Sequence, residues 1–143
     1  MSDQSQDESY IFWLPEFSVG ITKVDDQHKK IFTMINQLHT AIRTHENDAK
    51  AMESVIEAMA SYVAYHFETE KSILHEMPEF ADHEKQHWEF TKKTLQFANK
   101  YQRQPREELL HEIVGFLAYW LKAHIIGTDI GQFKLYRQQQ GIE

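Results

Sequence analysis

The sequence has 143 residues, of which 41% are apolar, 26% charged and 13% aromatic, a composition typical of one globular domain. Its 15 basic and 22 acidic residues give a formal net charge of −7, which argues against a nucleic-acid partner. It contains no cysteine, which excludes disulfides, thiolate metal sites, iron–sulfur clusters and cysteine nucleophiles. The nine histidines are the unusual feature of the composition.

The beginning of the chain differs from the regular segments that follow. Residues 1–9 are polar and acidic, unlike a signal peptide, and are predicted to form a disordered leader before one domain over 10–143. The segment Tyr10–Ile21 is aromatic and is predicted to be an extended arm packed on that domain. The longest uncharged apolar run, Ile113–Leu121, is about half of what a bilayer span needs. We therefore expect a cytoplasmic monomer with no membrane span.

Four helical patterns follow the arm, each with apolar residues at three- and four-residue spacing. The first is predicted to begin near Val24 and to end before 45–48. Pro78 separates the second pattern from the third, because the residue before a proline avoids helical geometry. Pro105 opens the fourth, and Gly127 is predicted to end it. Four helices of about 20 residues with short loops predict an all-α, up-down-up-down antiparallel four-helix bundle.

Side chains that can bind a metal interrupt the apolar face of every predicted helix. In an antiparallel bundle, the starts of the first and third helices share one end with the ends of the second and fourth. The side chains are therefore predicted to converge at a single depth. The set consists of His28 in the first helix, His66 and Glu70 in the second, His83 and His87 in the third, and His124 in the fourth.

Each histidine alone would more often be an ordinary buried residue with a hydrogen bond than a ligand. The cluster favours a metal site, because an ionised Glu70 buried without a partner would cost several kcal/mol, against a total stability of about 5–15 kcal/mol. Asp129 is a less obvious member. It lies five residues after His124, about 140° around an ideal helix, and joins the cluster only if the helix ends or distorts near Gly127.

The types of ligand limit the number and the identity of the metal ions that could bind. Five imidazoles with one or two carboxylates exceed the needs of one ion and indicate two. Ligation rich in nitrogen and free of sulfur suits iron, copper, nickel or zinc, and disfavours calcium and magnesium. The spacings His-x-x-x-Glu and His-x-x-x-His also differ from the Glu-x-x-His motif of di-iron oxidases.

These residues resemble the hemerythrin family in its single-domain bacterial form. The resemblance extends from about Trp13 to Phe133, and all seven ligand positions carry the expected residue type. Ile73–Met77 departs from the family pattern, and the Gly-Tyr pair often found before the next loop is absent. The matching stretches are Val24–His28, His66–Glu70, His83 with His87, and His124–Asp129, with Trp13 and Gly20 in the arm.

The resemblance implies two non-haem iron ions per chain, joined by an oxo or hydroxo bridge and by the carboxylates of Glu70 and Asp129. His83, His87 and His124 would hold one iron. His28 and His66 would hold the other, with one position open to dioxygen. The implied function is reversible binding of dioxygen for storage, transport or delivery to an oxygen-consuming enzyme.

An apolar oxygen pocket is also implied by the resemblance. By residue type alone, its members are equally compatible with an ordinary hydrophobic core. The expected pocket residues are Ile31, Phe67, Trp120 and Ile125.

Other functions compete with oxygen carriage. His83–His87 is a literal H-E-x-x-H zinc-peptidase motif, but Glu84 lies about 100° from the ligand face of its helix. A haem site would leave most of the histidines unexplained. A di-iron enzyme acting on peroxide or nitric oxide stays open, although no proton-relay residues are obvious on the helix faces. A sensor on the same scaffold stays open too, and would need an attached signalling domain.

Overall fold

The computed structural model describes residues 10–44, 48–104 and 106–142, so the predicted leader and Pro105 lie outside the described residues. Within these ranges every regular element is helical, with a short 3₁₀ helix at Pro15–Phe17. The main elements are α1 (Thr22–Thr44), α2 (Asp48–Ser61), π1 (Tyr62–Phe67), α3 (Glu68–Leu74), α4 (Phe80–Lys100), α5 (Arg106–His124), π2 (Ile125–Asp129) and α6 (Ile130–Gln140).

These elements combine into four long helices. The π-helical turns π1 and π2 join α2 to α3 and α5 to α6 without a break in the helical backbone. Helix α1 packs against α2 and α5, and α4 packs against the same two helices. Because each helix neighbours the one before it across a short connection, adjacent helices run antiparallel. The structure confirms the predicted all-α four-helix bundle.

Hydrogen bonds and buried side chains hold the predicted extended arm against α1. The Asn36 Oδ1 atom accepts hydrogen bonds from the backbone N–H groups of Tyr10 and Ile11, at 2.8 and 2.9 Å. The Asn36 amide donates to the Ile11 carbonyl at 2.8 Å. Ile11 and Phe17 are buried in the core, and part of the arm is 3₁₀ rather than extended. The arm therefore closes one side of the bundle.

The prediction that Gly127 ends the fourth helix is wrong. The helix passes through Gly127 within π2 and continues as α6 to Gln140, where Gly141 ends it with a φ of 71°. A glycine inside a helix costs only about 1 kcal/mol relative to alanine. Burial of Phe133, which is fully enclosed on α6, is worth more than that.

Two apolar clusters fill the interior. The larger includes Ile35, Phe90 and Phe97, and the smaller includes Leu74 and Phe133. Along every long helix, the residues predicted to bind metal fall between members of the two clusters. The clusters thus enclose a layer of polar side chains near one end of the bundle.

One helical stretch, Glu107–Gln140, is long and apolar enough to cross a membrane, judged by length and composition. Its most apolar window is 44% buried inside the bundle, and core helices of soluble proteins pass the same test. The sequence prediction considered only the uncharged run Ile113–Leu121. Further apolar residues follow that run on the same helix and make the apolar stretch longer. A single stretch of this kind is weak evidence for a membrane span.

Candidate metal centre

The structure brings all seven predicted side chains together in the polar layer, and each is buried. Their donor atoms form two groups, and within each group all the atoms lie within 4.8 Å of one another. Glu70 and Asp129 belong to both groups. The first group adds His83, His87 and His124, and the second adds His28 and His66.

The π-helical turn π2 explains how Asp129 reaches this layer. In a regular α-helix, a residue five positions after His124 would point about 140° away from it. A π-helix pairs residue i with i+5, so residues five apart lie one above the other. The Asp129 Oδ1 atom accordingly lies 3.1 Å from His124 Nε2. Gly127 lies within this turn, so the predicted distortion occurs there without ending the helix.

Glu70 faces both groups at once. Its Oε1 atom lies 3.0 Å from the Nε2 atoms of His83 and His87, which belong to the first group. Its Oε2 atom lies 2.9 Å from His66 Nε2 and 3.3 Å from His28 Nε2, in the second group. The carboxylate therefore presents one oxygen to each set of imidazoles.

Asp129 repeats this arrangement from the opposite helix. Its Oδ1 atom lies 2.9 Å from His83 Nε2 and 3.1 Å from His124 Nε2. Its Oδ2 atom lies 3.2 Å from His28 Nε2. Two carboxylates thus lie between the same two sets of histidines, each with its two oxygens divided between them.

Three glutamines orient three of the histidines from outside the layer. The Nδ1–H groups of the histidines donate to the glutamine side-chain oxygens, which leaves each Nε2 directed at the carboxylates. Sequence reasoning missed these glutamines. Gln27 and Gln86 stand directly before His28 and His87, yet each reaches a histidine on a different helix. The pairs are His66 with Gln27 at 2.7 Å, His83 with Gln132 at 2.7 Å and His124 with Gln86 at 2.6 Å.

The two carboxylates favour the protonated, positively charged form of some of the neighbouring histidines. Burial alone would lower the pKa of His83, but the nearby carboxylates of Asp129 and Glu70 outweigh it and raise that pKa to about 10. The same balance raises the pKa of His28 to about 9. His87 differs, because burial lowers its pKa to about 4 and keeps the ring neutral.

The histidines in turn lower the pKa of Glu70. Burial would raise it, but His66, His124 and His28 outweigh burial and hold it well below its usual range. The pKa of Asp129 is likewise lowered, against burial and the Glu70 charge, by His124 and His28. Both carboxyl groups are therefore ionised inside the protein, where a cation is their natural partner.

Several polar atoms of the layer are better placed to bind a metal ion than to form hydrogen bonds with one another. Although ring nitrogens and carboxylate oxygens lie within about 3 Å, many pairs lack hydrogen-bond geometry. Buried polar atoms are normally hydrogen-bonded, and unpaired lone pairs that face a common centre form a metal site. The atoms without a hydrogen-bond partner in the described part of the chain include His28 Nδ1 and Nε2, His66 Nε2, Glu70 Oε2 and both Asp129 carboxylate oxygens.

The four residues predicted to form an oxygen pocket lie next to this layer. Ile31, Phe67 and Ile125 are buried in the larger apolar cluster, and Trp120 packs against it. The Phe67 ring stacks on His87 at 3.8 Å, and the Trp120 ring stacks on His124 at 4.5 Å.

Tyr62 is a further neighbour of the layer, and it is absent from the predicted site residues. Its ring stacks on His66, with the centroids 4.6 Å apart and the planes 18° from parallel. Burial, followed by the charges of Glu70 and Asp129, raises the Tyr62 pKa well above its ordinary value, so the hydroxyl stays protonated. Its position one turn before His66 on an apolar face is the signal that could have identified it.

The zinc-peptidase motif does not have the geometry of a peptidase. His83 and His87 lie in the polar layer, but Glu84 is about half exposed and forms an ion pair with Lys71 at 3.1 Å. Of the remaining histidines, His39 is half-buried and stacks on Tyr10, and His75 and His111 are exposed. His45 lies outside the described residues.

The sequence model of the hemerythrin HHE cation binding domain matches residues 19–131, which include all seven side chains. The chain belongs to the hemerythrin family. A bacteriohemerythrin of Pseudomonas aeruginosa is 32% identical over 125 residues, which are 86% of this chain and 79% of that protein. A bacteriohemerythrin of Clostridium acetobutylicum is 27% identical over 122 residues, 82% of this chain and 94% of that protein.

A hemerythrin-like protein of Naegleria gruberi is 26% identical over 121 residues, which are 82% of this chain and 87% of that protein. Membership confirms the resemblance seen in the sequence. The hemerythrin domain is a cation-binding domain, and this chain has a buried cluster of histidines and carboxylates able to hold a metal.

Proposed function

We propose that this hemerythrin binds dioxygen reversibly at a pair of non-haem iron ions, for storage, transport or delivery of oxygen. The observation that carries the proposal is the position of Glu70 and Asp129, which belong to both groups of donor atoms. Carboxylates divided between two sets of imidazoles are suited to bridging two ions. The names of the bacteriohemerythrin relatives support the same assignment.

The two ions would have unequal sets of protein ligands. His83, His87 and His124 would hold one iron through their Nε2 atoms. His28 and His66 would hold the other, which would have one imidazole fewer and room for a small molecule. When bound, the iron pair supplies the electrons for reversible binding of dioxygen. Gln27, Gln86 and Gln132 would keep the imidazoles oriented for this ligation.

The apolar neighbours would protect the open position. Ile31, Phe67, Trp120 and Ile125 would limit the entry of water and of competing anions that displace dioxygen, and would limit the access of protons. An enzyme that consumes dioxygen or peroxide needs a supply of protons at the site. An apolar surround therefore favours a carrier over an enzyme.

Metal analysis combined with an optical spectrum tests the proposal. The purified chain is reduced under anaerobic conditions, exposed to air and then deoxygenated. We expect about two irons per chain and a spectrum that appears with air and disappears on deoxygenation, because binding needs both ions. One metal per chain, or zinc that persists under iron-replete expression, would contradict it. A Glu70→Ala chain serves as the metal-free control.

A further inference from the structure

We propose that Tyr62 binds the small ligand of this centre, by donating a hydrogen bond from its hydroxyl to a ligand held beside His66. This inference rests on the proposed function and extends it by assigning a polar residue to the pocket. It concerns the second group of donor atoms, which contains His28 and His66.

Tyr62 lies at the same depth in the bundle as the expected pocket residues. It stands four residues before His66, as Trp120 stands four residues before His124. Ile31 and Phe90 each stand three residues after a histidine of an oppositely directed helix. In antiparallel helices these positions share one level, one turn further into the bundle than the histidines. Tyr62 thus replaces an apolar residue in the surround of the centre.

The Tyr62 ring is fixed by its neighbours. It lies flat on His66, and its centroid is 5.0 Å from that of Phe67 and 5.3 Å from that of Phe90. The side chain is only 6% exposed. Its hydroxyl is buried and has no hydrogen-bond partner among the described residues. The Tyr62 ring is therefore held against His66, which belongs to the group of donor atoms with one imidazole fewer.

An unpaired hydroxyl at this place needs an explanation. Buried tyrosine hydroxyls usually find a partner, and leaving one without a partner costs free energy. Phenylalanine would fill the same space without that cost. The tyrosine is explained if its partner is a ligand that is present only part of the time.

A cavity gives such a ligand a route to Tyr62. Its volume is about 530 Å³, and it lies between α1 and the helix formed by α2 and π1. Tyr62, Ile31 and His66 line it, together with Gln27 and the exposed Tyr65. Lys30 and Ser61 line the same cavity. Because the ligand must fit beside His66 and accept a hydrogen bond from the Tyr62 hydroxyl, the ligand class is a two- or three-atom molecule or anion with a hydrogen-bond acceptor at its free end. Dioxygen and azide both belong to this class.

Azide affinity tests the inference, with Tyr62→Phe as the variant and Tyr65→Phe as the matched control. Tyr65 lines the same cavity but is 71% exposed, so its hydroxyl has water as a partner. Oxidised, iron-loaded chains are titrated with sodium azide and followed by absorption. We expect the azide dissociation constant to rise about tenfold in Tyr62→Phe and to be unchanged in Tyr65→Phe, since a hydrogen bond to an anion is lost only in the first.

Thermal unfolding of the metal-free chains gives a second readout. If the hydroxyl has no protein partner, metal-free Tyr62→Phe melts no lower than the metal-free wild type. A lower melting temperature would show a structural hydrogen bond and overturn the inference. Equal azide constants, or loss of iron from Tyr62→Phe, would overturn it as well. Failure of the wild type to bind iron would instead overturn the proposed function.

Discussion

Two regions of the bundle interior are equally well buried but differ in chemistry. Around Phe97 the core is apolar, and the Phe97 ring meets Phe116 edge to face at 5.7 Å. Towards the other end, seven ionisable side chains occupy the polar layer with as little exposure. The apolar region is stabilised by its own burial. The polar layer needs positive charge, from protons or from a metal, to offset two buried carboxylates. The first region serves stability and the second serves binding.

The largest expected difference between the two regions concerns metal content. Glu70→Ala should lose both irons, because Glu70 faces both groups of donor atoms, whereas His28→Ala should weaken mainly one. Phe97→Ala should keep both irons and lower the free energy of unfolding by about 3–5 kcal/mol. Elemental analysis and urea unfolding measure the two effects. Retention of one full iron by Glu70→Ala would show that this carboxylate does not bridge.

Metal removal should also distinguish the polar layer from the apolar core around Phe97. Binding to the folded state alone stabilises a protein by about 4 kcal/mol at a free metal concentration a thousand times the dissociation constant. The iron-loaded wild type should therefore melt well above its metal-free form, whereas Glu70→Ala should show no such gain. Phe97→Ala should lower the melting temperatures of the iron-loaded and metal-free forms by the same amount. Calorimetry of the paired samples checks this, and identical melting of loaded and metal-free wild type would be inconsistent with a buried site.

A smaller effect is expected when a glutamine is removed. Gln86→Ala should weaken metal binding by about 10–100-fold, because His124 loses the acceptor that orients its ring. Gln96→Ala is the matched control, since Gln96 is exposed on the same helix α4. Competition with a chelator measures both affinities. Equal affinities in the two variants would show that Gln86 does not orient a ligand.

The smallest effect distinguishes apolar residues near the layer from those far from it. Trp120→Ala or Ile125→Ala should raise the autoxidation rate several-fold beyond what their lost stability explains, because water reaches the open position. Phe97→Ala should destabilise the fold without this gain. The absorbance decay of air-exposed samples gives the rates. If the autoxidation rate rises in proportion to the lost stability in all three variants, Trp120 and Ile125 do not form an oxygen pocket.

The sequence predicted those features that depend on regular helical spacing. The positions of His28, His66, His83 and His124 relative to apolar residues of their own helices were enough to place them at one depth. Because a helix repeats every 3.6 residues, such positions can be read without knowing the rest of the fold.

Features that depend on irregular backbone or on contacts between helices could not be predicted in this way. The π-helical turn around Gly127 brings Asp129 inward. The sequence allowed either an end or a distortion of the helix at Gly127, and a glycine at that position favours an end. Gln27, Gln86 and Gln132 each orient a histidine on another helix, so their roles depend on how the helices are rotated and packed. The unpaired hydroxyl of Tyr62 is visible only once its surroundings are known.

This hemerythrin is proposed to take up dioxygen at one iron pair and to return it intact. The most direct measurement is the amount of dioxygen bound and released per iron over repeated cycles of air exposure and deoxygenation. We predict one dioxygen for every two irons, recovered on deoxygenation without peroxide or superoxide in solution. Dioxygen consumed in each cycle, or uptake that does not scale with the iron pair, would contradict the claim.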